Sequence, residues 1–311
     1  MKDYGCDKPD VRFDLKHFDV TNAFINSEFK SFAQIAETGL IKAMFLPESV
    51  GSLARKELES MVEVVKSIGC KGFVWAKTDT EKWSSGIAKF ITPEVEAELN
   101  KNLSELGPGT WLFVEDENID LVHQGSDHIR RHLGSKFNLY DENEKAFLWV
   151  DEFPLYEYDE KDQRFYAKHH PFTMPIEEDI KLFKSTDAND WKKCRAAAYD
   201  VVLNGFELGG GSQRIHKSEI QSQMFKILGL DDAEVEKQFG FFIEALSYGS
   251  PPHAGIAFGL DRMVMLLTGA KNISDVIAFP KTTSASDLMS GAPTAPKNEQ
   301  LKELSFKWEL K

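Results

Sequence analysis

The chain has 311 residues, 42% hydrophobic and 28% charged, with a formal net charge of -13. That composition fits a globular protein of about two domains. It excludes a protein that holds nucleic acid through a uniformly basic surface, while leaving room for a local basic patch. The three cysteines, Cys6, Cys70 and Cys194, are far apart and show no metal or redox spacing, so a reducing, cytoplasmic compartment is expected. The opening residues MKDYGCDKPD have no apolar core, and no apolar run approaches the ~20 residues of a membrane span. Neither a secretory signal nor a membrane span is expected.

No internal repeat or low-complexity tract breaks the chain. Helical and strand patterns alternate over 24–133. Ala54, Leu58, Met61, Val62, Val65 and Ile68 form one helical stripe over 52–68, with Ser52 as cap and Gly69 as stop. Residues 72–76 read as a buried strand. A polar helix follows Pro93, Gly107-Pro108-Gly109 makes a sharp turn, 111–114 is the next strand, and 127–131 lies in a helix. This is a compact α/β unit without a catalytic constellation. Gly134-Ser135-Lys136 reads as a junction, and beyond it the texture turns to antiparallel β. A strand is expected over 146–150, and a strand or loop over 165–173. A hairpin follows over 199–215, then helices over 217–228 and 232–248. A strand over 255–259 runs into a helix over 262–267, and a Pro-containing loop and one short helix close the chain.

The hairpin YDVVLNGFELGGGSQRIH carries the chemistry. Asn204-Gly205 between β-type runs signals a two-residue turn with positive φ at both positions. That turn pairs Leu203 with Phe206, Val202 with Glu207, Val201 with Leu208 and Asp200 with Gly209. Asp200, Val202, Glu207 and Gly209 then share one face, and Tyr199, Val201, Leu203, Phe206 and Leu208 share the core face. Asp200 and Glu207 become diagonal neighbours. They either hold a hard cation such as Mg2+, which takes oxygen ligands and brings phosphates with it, or stand solvated on an exposed face. Gly209-Gly210-Gly211 weakens the strand and permits a bulge or a close ligand approach. Strict alternation would send Arg214 into the core, where an unpaired guanidinium is costly. A break at the glycines is therefore expected to turn Arg214 toward the carboxylates, where it suits bidentate binding of a carboxylate.

Two further features stand out. In GIAFGLDRMVMLLTG a strand ends at Gly259 and a helix begins near Asp261-Arg262. An arginine in a first turn opposes the helix dipole unless an anion lies between them; pairing with a nearby carboxylate is the plainer alternative. In KHHPFT the His169-His170 pair has no third ligand at zinc spacing, so a structural or substrate-bonding role is expected.

The strings AYDVVLNGFELGGGSQRIH, SYGSPPHAGIAFGLDRMVMLLTG and SDVIAFPKTTSASDLM, with YGCDKPDVRF and LWVDEFPLYEYD…KHHPFTMP, resemble bacterial-type aspartyl-tRNA synthetases, a class II family. The resemblance covers the whole chain. The related asparaginyl enzymes share the catalytic fold, but the inserted unit and GGGSQRIH favour the aspartyl family. The resemblance implies an α+β fold: a class II antiparallel sheet flanked by helices, partial here, over 1–20 and 136–311. An inserted α/β domain of the GAD-like kind would occupy 21–135. It implies a ligase that joins L-aspartate and ATP into aspartyl-adenylate and then passes the aspartyl group to tRNA. Position by position, His169 contacts aspartate and Arg214 binds its side-chain carboxylate. Glu207 contacts ATP, with Asp200 and Glu207 as Mg2+ ligands. Gly259, Leu260, Asp261 and Arg262 bind ATP, with Arg262 on the γ-phosphate. Glu207, Arg214 and Arg262 form the catalytic set. Arg130 and Arg131 face either solvent or tRNA.

Measured against the family pattern, the chain is expected to be a C-terminal portion lacking the anticodon-binding domain and the first two class motifs. The complete enzyme would be a homodimer with no membrane partner. Removing one oxyanion donor costs about 10²–10³ in rate, so this chain alone is expected to form adenylate poorly. A free-standing paralogue that binds aspartate or nucleotide, or one half of a split synthetase, are the alternatives.

Overall fold

The computed structural model describes residues 1–79, 82–103 and 107–307. In chain order the strands and helices are β1 (His17–Asp19), α1 (Lys30–Thr38), β2 (Leu40–Pro47), α2 (Arg55–Ser67), β3 (Gly72–Thr78), β4 (Trp83–Ser84), α3 (Pro93–Asn100), β5 (Gly109–Asp116) and α4 (Ile119–Lys136). There follow β6 (Phe147–Val150), β7 (Tyr156–Asp159), β8 (Arg164–Ala167), α5 (Ile180–Phe183), α6 (Ala188–Trp191), β9 (Ala198–Leu203) and β10 (Phe206–Gln213). The last are α7 (Ser218–Ile227), α8 (Asp232–Ser247), β11 (Ala254–Phe258), α9 (Leu260–Thr268) and α10 (Asn298–Glu303). By contact density the chain divides into residues 1–256 and 257–311.

In the first unit β1–β5 build a five-stranded sheet in the order β1-β2-β5-β3-β4. Each neighbouring pair in it is antiparallel. β2 and β3 both run against β5, which inserts between them after the α3 connection. Helices cover both faces. Met44, Leu46, Leu112 and Val114 point to the side packed by Leu58, Met61 and Val65 of α2 and by Val122, Ile129 and Leu133 of α4. Ile41, Phe45, Trp111 and Phe113 point to the other side, against Phe32 and Ile35 of α1 and Val95 and Leu99 of α3. Two-sided burial explains why the middle of β2 and of β5 reads as a continuous apolar run rather than an alternation.

The helix over 52–68 is present, but its start is corrected. α2 is capped at Ala54, whose backbone N–H donates to Glu57 Oε2 at 2.7 Å. Gly69 follows its end at φ +97°. Gly134-Ser135-Lys136 is helical rather than a loop. It is the last turn of α4, and Gly134 is buried because a Cβ there would stand 2.5 Å from the Phe13 ring. Arg130 lies on neither a solvated face nor a nucleic-acid face. It is fully buried, donating to Phe13 O at 2.7 Å and Leu15 O at 3.1 Å. Arg131, on the same helix, is bound to neighbours within the chain.

The second sheet has the order β11-β10-β9-β6, and β7–β8 form a separate ribbon. Leu155, Phe165, Met174 and Phe183 pack with Ile220, Met224 and Ile227 of α7 into a third core. β11 spans the division between the two units. In the unit 257–311, Gly259 caps α9 and Gly269, at φ +70°, ends it.

Candidate functional site

The Asn204-Gly205 turn forms as the dipeptide demands, with φ of +51° and +85°. Leu203 faces Phe206 and Val202 faces Glu207, as expected from that turn. The next pairs differ. The register slips between Glu207 and Gly209, so Val201 faces Gly209 and Asp200 faces Gly210 rather than Leu208 and Gly209. The break expected at the glycines thus falls one residue earlier, around Leu208. Beyond it the pairing is regular through Gly211–Tyr199 and Ser212–Ala198.

That single slip sets the site. Alternation from Gly210 through Ser212 carries Arg214 to the same face as Asp200 and Glu207. Without it, Arg214 would share the face of Val201, Leu203 and Leu208, which are buried. The carboxylate face is not an open one either. Val202, on that face, is fully buried, and Asp200 and Glu207 are half-buried.

The glycines have distinct jobs. A Cβ on Gly210 would lie 2.2 Å from Asp200 Oδ1, so Gly210 makes room for that carboxylate. A Cβ on Gly211 would lie 1.8 Å from Gly255 O, so Gly211 lets the backbone of 255–256 come close. Tyr199 OH donates to the same Gly255 O at 3.0 Å.

Segment 172–174 runs antiparallel beside the end of β10. Met174 N–H donates to Gln213 O at 2.9 Å and Ile215 N–H to Phe172 O at 2.9 Å. Thr173 and Ser212 join their hydroxyls across this seam at 3.3 Å. The two histidines of KHHPFT are exposed and arrive at the site together. His169 stacks edge-on with Phe153, ring centroids 4.8 Å apart. The backbone of Arg214 is fixed from the other side, its N–H donating to His253 O at 2.9 Å.

Electrostatics tie these groups together. Burial, and then the charge of Glu207, raise the Asp200 carboxyl above its ordinary range, while His169 acts in the opposite direction. Burial and the Arg214 cation lower His170. Asp7 and Lys8 also act on Asp200, the first raising and the second lowering it. They stand almost two hundred residues away in sequence, and no local pattern marked them as site residues. Among the described residues no group of three or more His, Cys, Asp or Glu is set to hold a metal. Two carboxylates on one strand face suit Mg2+, which commonly binds through one or two carboxylates plus substrate phosphates.

Gly259, Leu260, Asp261 and Arg262 belong to the unit 257–311. The strand-to-helix step is present there, with Gly259 as cap and Arg262 in the first turn of the nine-residue α9. A groove of about 800 Å3 lined by Phe13, Leu15, Phe18, Val50, Leu103 and Leu139 contains none of the candidate residues. No helix among the described residues is long and apolar enough to cross a membrane.

Residues 1–283 match the family model of tRNA synthetases class II (D, K and N). The chain is 46% identical over 302 residues to the aspartate–tRNA(Asp/Asn) ligase of Geobacillus sp. (strain WCH70), covering 97% of this chain and 50% of that protein. It is 46% identical over 305 residues to the aspartate–tRNA ligase of Geobacillus kaustophilus (strain HTA426), covering 98% and 51%. The chain thus spans about half the length of the curated relatives it matches. Among solved structures, an aspartyl tRNA synthetase from Entamoeba histolytica aligns over 80% of this chain and 44% of that one, at 19% identity and a TM-score of 0.33.

Proposed function

Because the chain belongs to the class II tRNA synthetases of the D, K and N group, we propose that it carries the amino-acid and nucleotide site of an aspartate–tRNA ligase. In this reading residues 1–20 and 136–311 form part of the catalytic domain, and 21–135 form an inserted domain. Asp200 and Glu207 hold Mg2+ and with it the phosphates of ATP. The metal would supply charge neutralisation at those phosphates. Arg214 grips the side-chain carboxylate of aspartate as a fork on a planar anion, and His169 contacts the same substrate. Gly259, Leu260, Asp261 and Arg262 bind ATP, with Arg262 on its terminal phosphate. The acceptor is tRNA, the complete enzyme is a cytoplasmic homodimer, and its reaction proceeds through aspartyl-adenylate.

One observation carries the reading. The register slip before Gly209 brings an arginine and two carboxylates onto one half-buried face. A strand built for packing alone gains nothing from two acids and a guanidinium there. A site for a metal–polyphosphate and a dicarboxylic amino acid uses all three.

Calorimetric titration of the folded chain with ATP, with and without Mg2+, tests it. The expected result is Mg2+-dependent binding that weakens at least ~10-fold, or ~1.4 kcal/mol, in Asp200→Asn and in Glu207→Gln. Equal binding by wild type and both variants would overturn the metal assignment.

A further inference from the structure

We propose that Gln221 on α7 is a positioning residue for aspartate binding: its side-chain amide fixes the turn that carries His169 and His170 against Arg214. The proposal rests on the reading of His169 and Arg214 as the aspartate contacts.

The turn by itself leaves one group unpaired. Thr173 N–H donates to His170 O at 3.1 Å, which closes a four-residue turn with Pro171 and Phe172 at its centre. Phe172 N–H donates to His170 Nδ1 at 3.2 Å. A backbone N–H can only donate, so Nδ1 accepts and the ring proton sits on Nε2. His170 is thereby neutral and exposed, with Nε2–H as the donor it offers. Pro171 has no N–H, and its carbonyl finds no donor within the turn.

Gln221 supplies that donor. Its Nε2 donates to Pro171 O at 2.9 Å, joining residues 50 apart in the chain. A carbonyl accepts only, so the amide can sit just one way round. Gln221 is fully buried, and its Oε1 has no partner among the described residues. A buried acceptor left unpaired costs about 1–3 kcal/mol, and a methionine would fill the same core without that penalty. What the amide gains over methionine is the one bond to Pro171.

Packing and the strand end complete the hold. The Phe172 ring stands edge-on to Phe225 of α7 and to Phe239 and Phe242 of α8, with centroids 6.2, 5.7 and 4.9 Å away. On the other side of the turn, the bonds from Met174 N–H to Gln213 O and from Ile215 N–H to Phe172 O bracket Arg214, the bridge partner of Thr173. Pro171 is thus held by α7, and Thr173 by the strand end that bears the arginine. Slack at Pro171 would shift the histidines relative to the guanidinium. It would leave Asp200 and Glu207 in place, because none of these bonds involves them.

The test is calorimetric titration of L-aspartate in the presence of MgATP, and of MgATP alone, into wild type, Gln221→Met and Ile227→Val, each checked for a folded spectrum. Hydrogen exchange of the Phe172 and Thr173 amides is followed in all three. Gln221→Met keeps the length of the side chain and loses the bond. It should bind aspartate about 10-fold more weakly, bind MgATP as wild type does, and exchange both amides faster. Ile227→Val loosens the same helix more than a turn away and should change neither affinity. Three results would overturn the role of Gln221 alone: aspartate binding by Gln221→Met equal to wild type, a MgATP loss in it as large as the aspartate loss, or the same aspartate loss in Ile227→Val. Unprotected Phe172 and Thr173 amides in wild type would overturn it as well, without any variant. A wild type that binds no aspartate would overturn the underlying reading of His169 and Arg214, and the inference with it.

Discussion

Asp200 and Gly210 form the most sensitive pair in the site. Gly210 is not among the positive-φ glycines, so alanine suits its backbone and only the added methyl conflicts. The conflict is with one atom, Asp200 Oδ1, 2.2 Å from where the methyl would stand. A carboxylate is the free end of a side chain and can swing aside at little cost. Gly210→Ala should therefore displace Asp200 without unfolding the sheet. The expected loss of stability is about 1–2 kcal/mol, readable in a urea melt, with MgATP affinity falling at least ~10-fold. Gly211→Ala should behave differently, since its methyl meets the backbone carbonyl of Gly255 at 1.8 Å. There the strand pairing itself must yield. A Gly210→Ala chain with wild-type MgATP affinity would show that Asp200 does not need its present position. At this scale the sequence was informative where chemistry and turn geometry coincide. Asn204-Gly205 dictates its own φ values, and from that turn the faces of Asp200 and Glu207 follow. Where the strand would slip was less legible, because three consecutive glycines make several bulge positions nearly equal in cost.

The helix α4 shows how an element couples packing to pH. His17 on β1 is buried with neither ring nitrogen hydrogen-bonded, and Nδ1 of His123 on α4 is likewise buried without a partner. Burial, and then Lys42 and Arg130, hold His17 well below the usual histidine range. Burial and Lys42 push His123 down to about 4, against weaker opposition from Asp120 and Asp19. Both histidines are therefore neutral in the folded chain near neutral pH. The unfolded chain takes up their protons near its ordinary value of ~6.5, before the folded chain does. Stability from these groups is present above ~6.5 and lost as pH falls toward about 4. The slope is at most ~1.4 kcal/mol per pH unit for each histidine. Denaturant melts between pH 7.5 and 4.5 should show this loss, and His123→Gln should make it shallower. Identical slopes in both proteins would contradict the assignment. The same helix defeated simple reading in two places. Gly134 resembles a linker glycine, yet it admits the Phe13 ring. Arg130 resembles a surface arginine, yet it spends its donors on the carbonyls of Phe13 and Leu15. In each case the partner is more than a hundred residues away, and only the fold brings it there.

In the molecule as a whole, burial is unevenly spread. The five-stranded sheet is packed on both faces, whereas β6, at one edge of the second sheet, exposes Phe147 and Trp149 at 62% each. Pairing places both on the face of Val201 and Leu203, and Phe206 beside them is 42% exposed. An edge strand with aromatic rings in water is prone to self-association. The chain should therefore associate with rising concentration in sedimentation velocity despite its net charge of -13. Trp149→Lys should shift the population toward monomer, and an unchanged distribution would locate the association elsewhere. The broad architecture was legible in part: alternating helices and strands come first, although the sheet of that unit is antiparallel rather than of the expected α/β kind, and antiparallel strands and a strand running into a helix follow. The hold of Gln221 on the carbonyl of Pro171 was not legible, because it joins residues 50 apart in the chain.

The account rests on one shared face that serves both a nucleotide and an acidic amino acid. Its most direct test is a calorimetric titration of L-aspartate into the chain in the presence of MgATP, with Arg214→Met measured beside wild type and L-asparagine as the competing ligand. The predicted result is saturable binding of aspartate in preference to asparagine, weakened about 100-fold or more in Arg214→Met, or ~2.7 kcal/mol. A folded variant that binds aspartate as tightly as wild type, or a wild type that prefers asparagine, would contradict it.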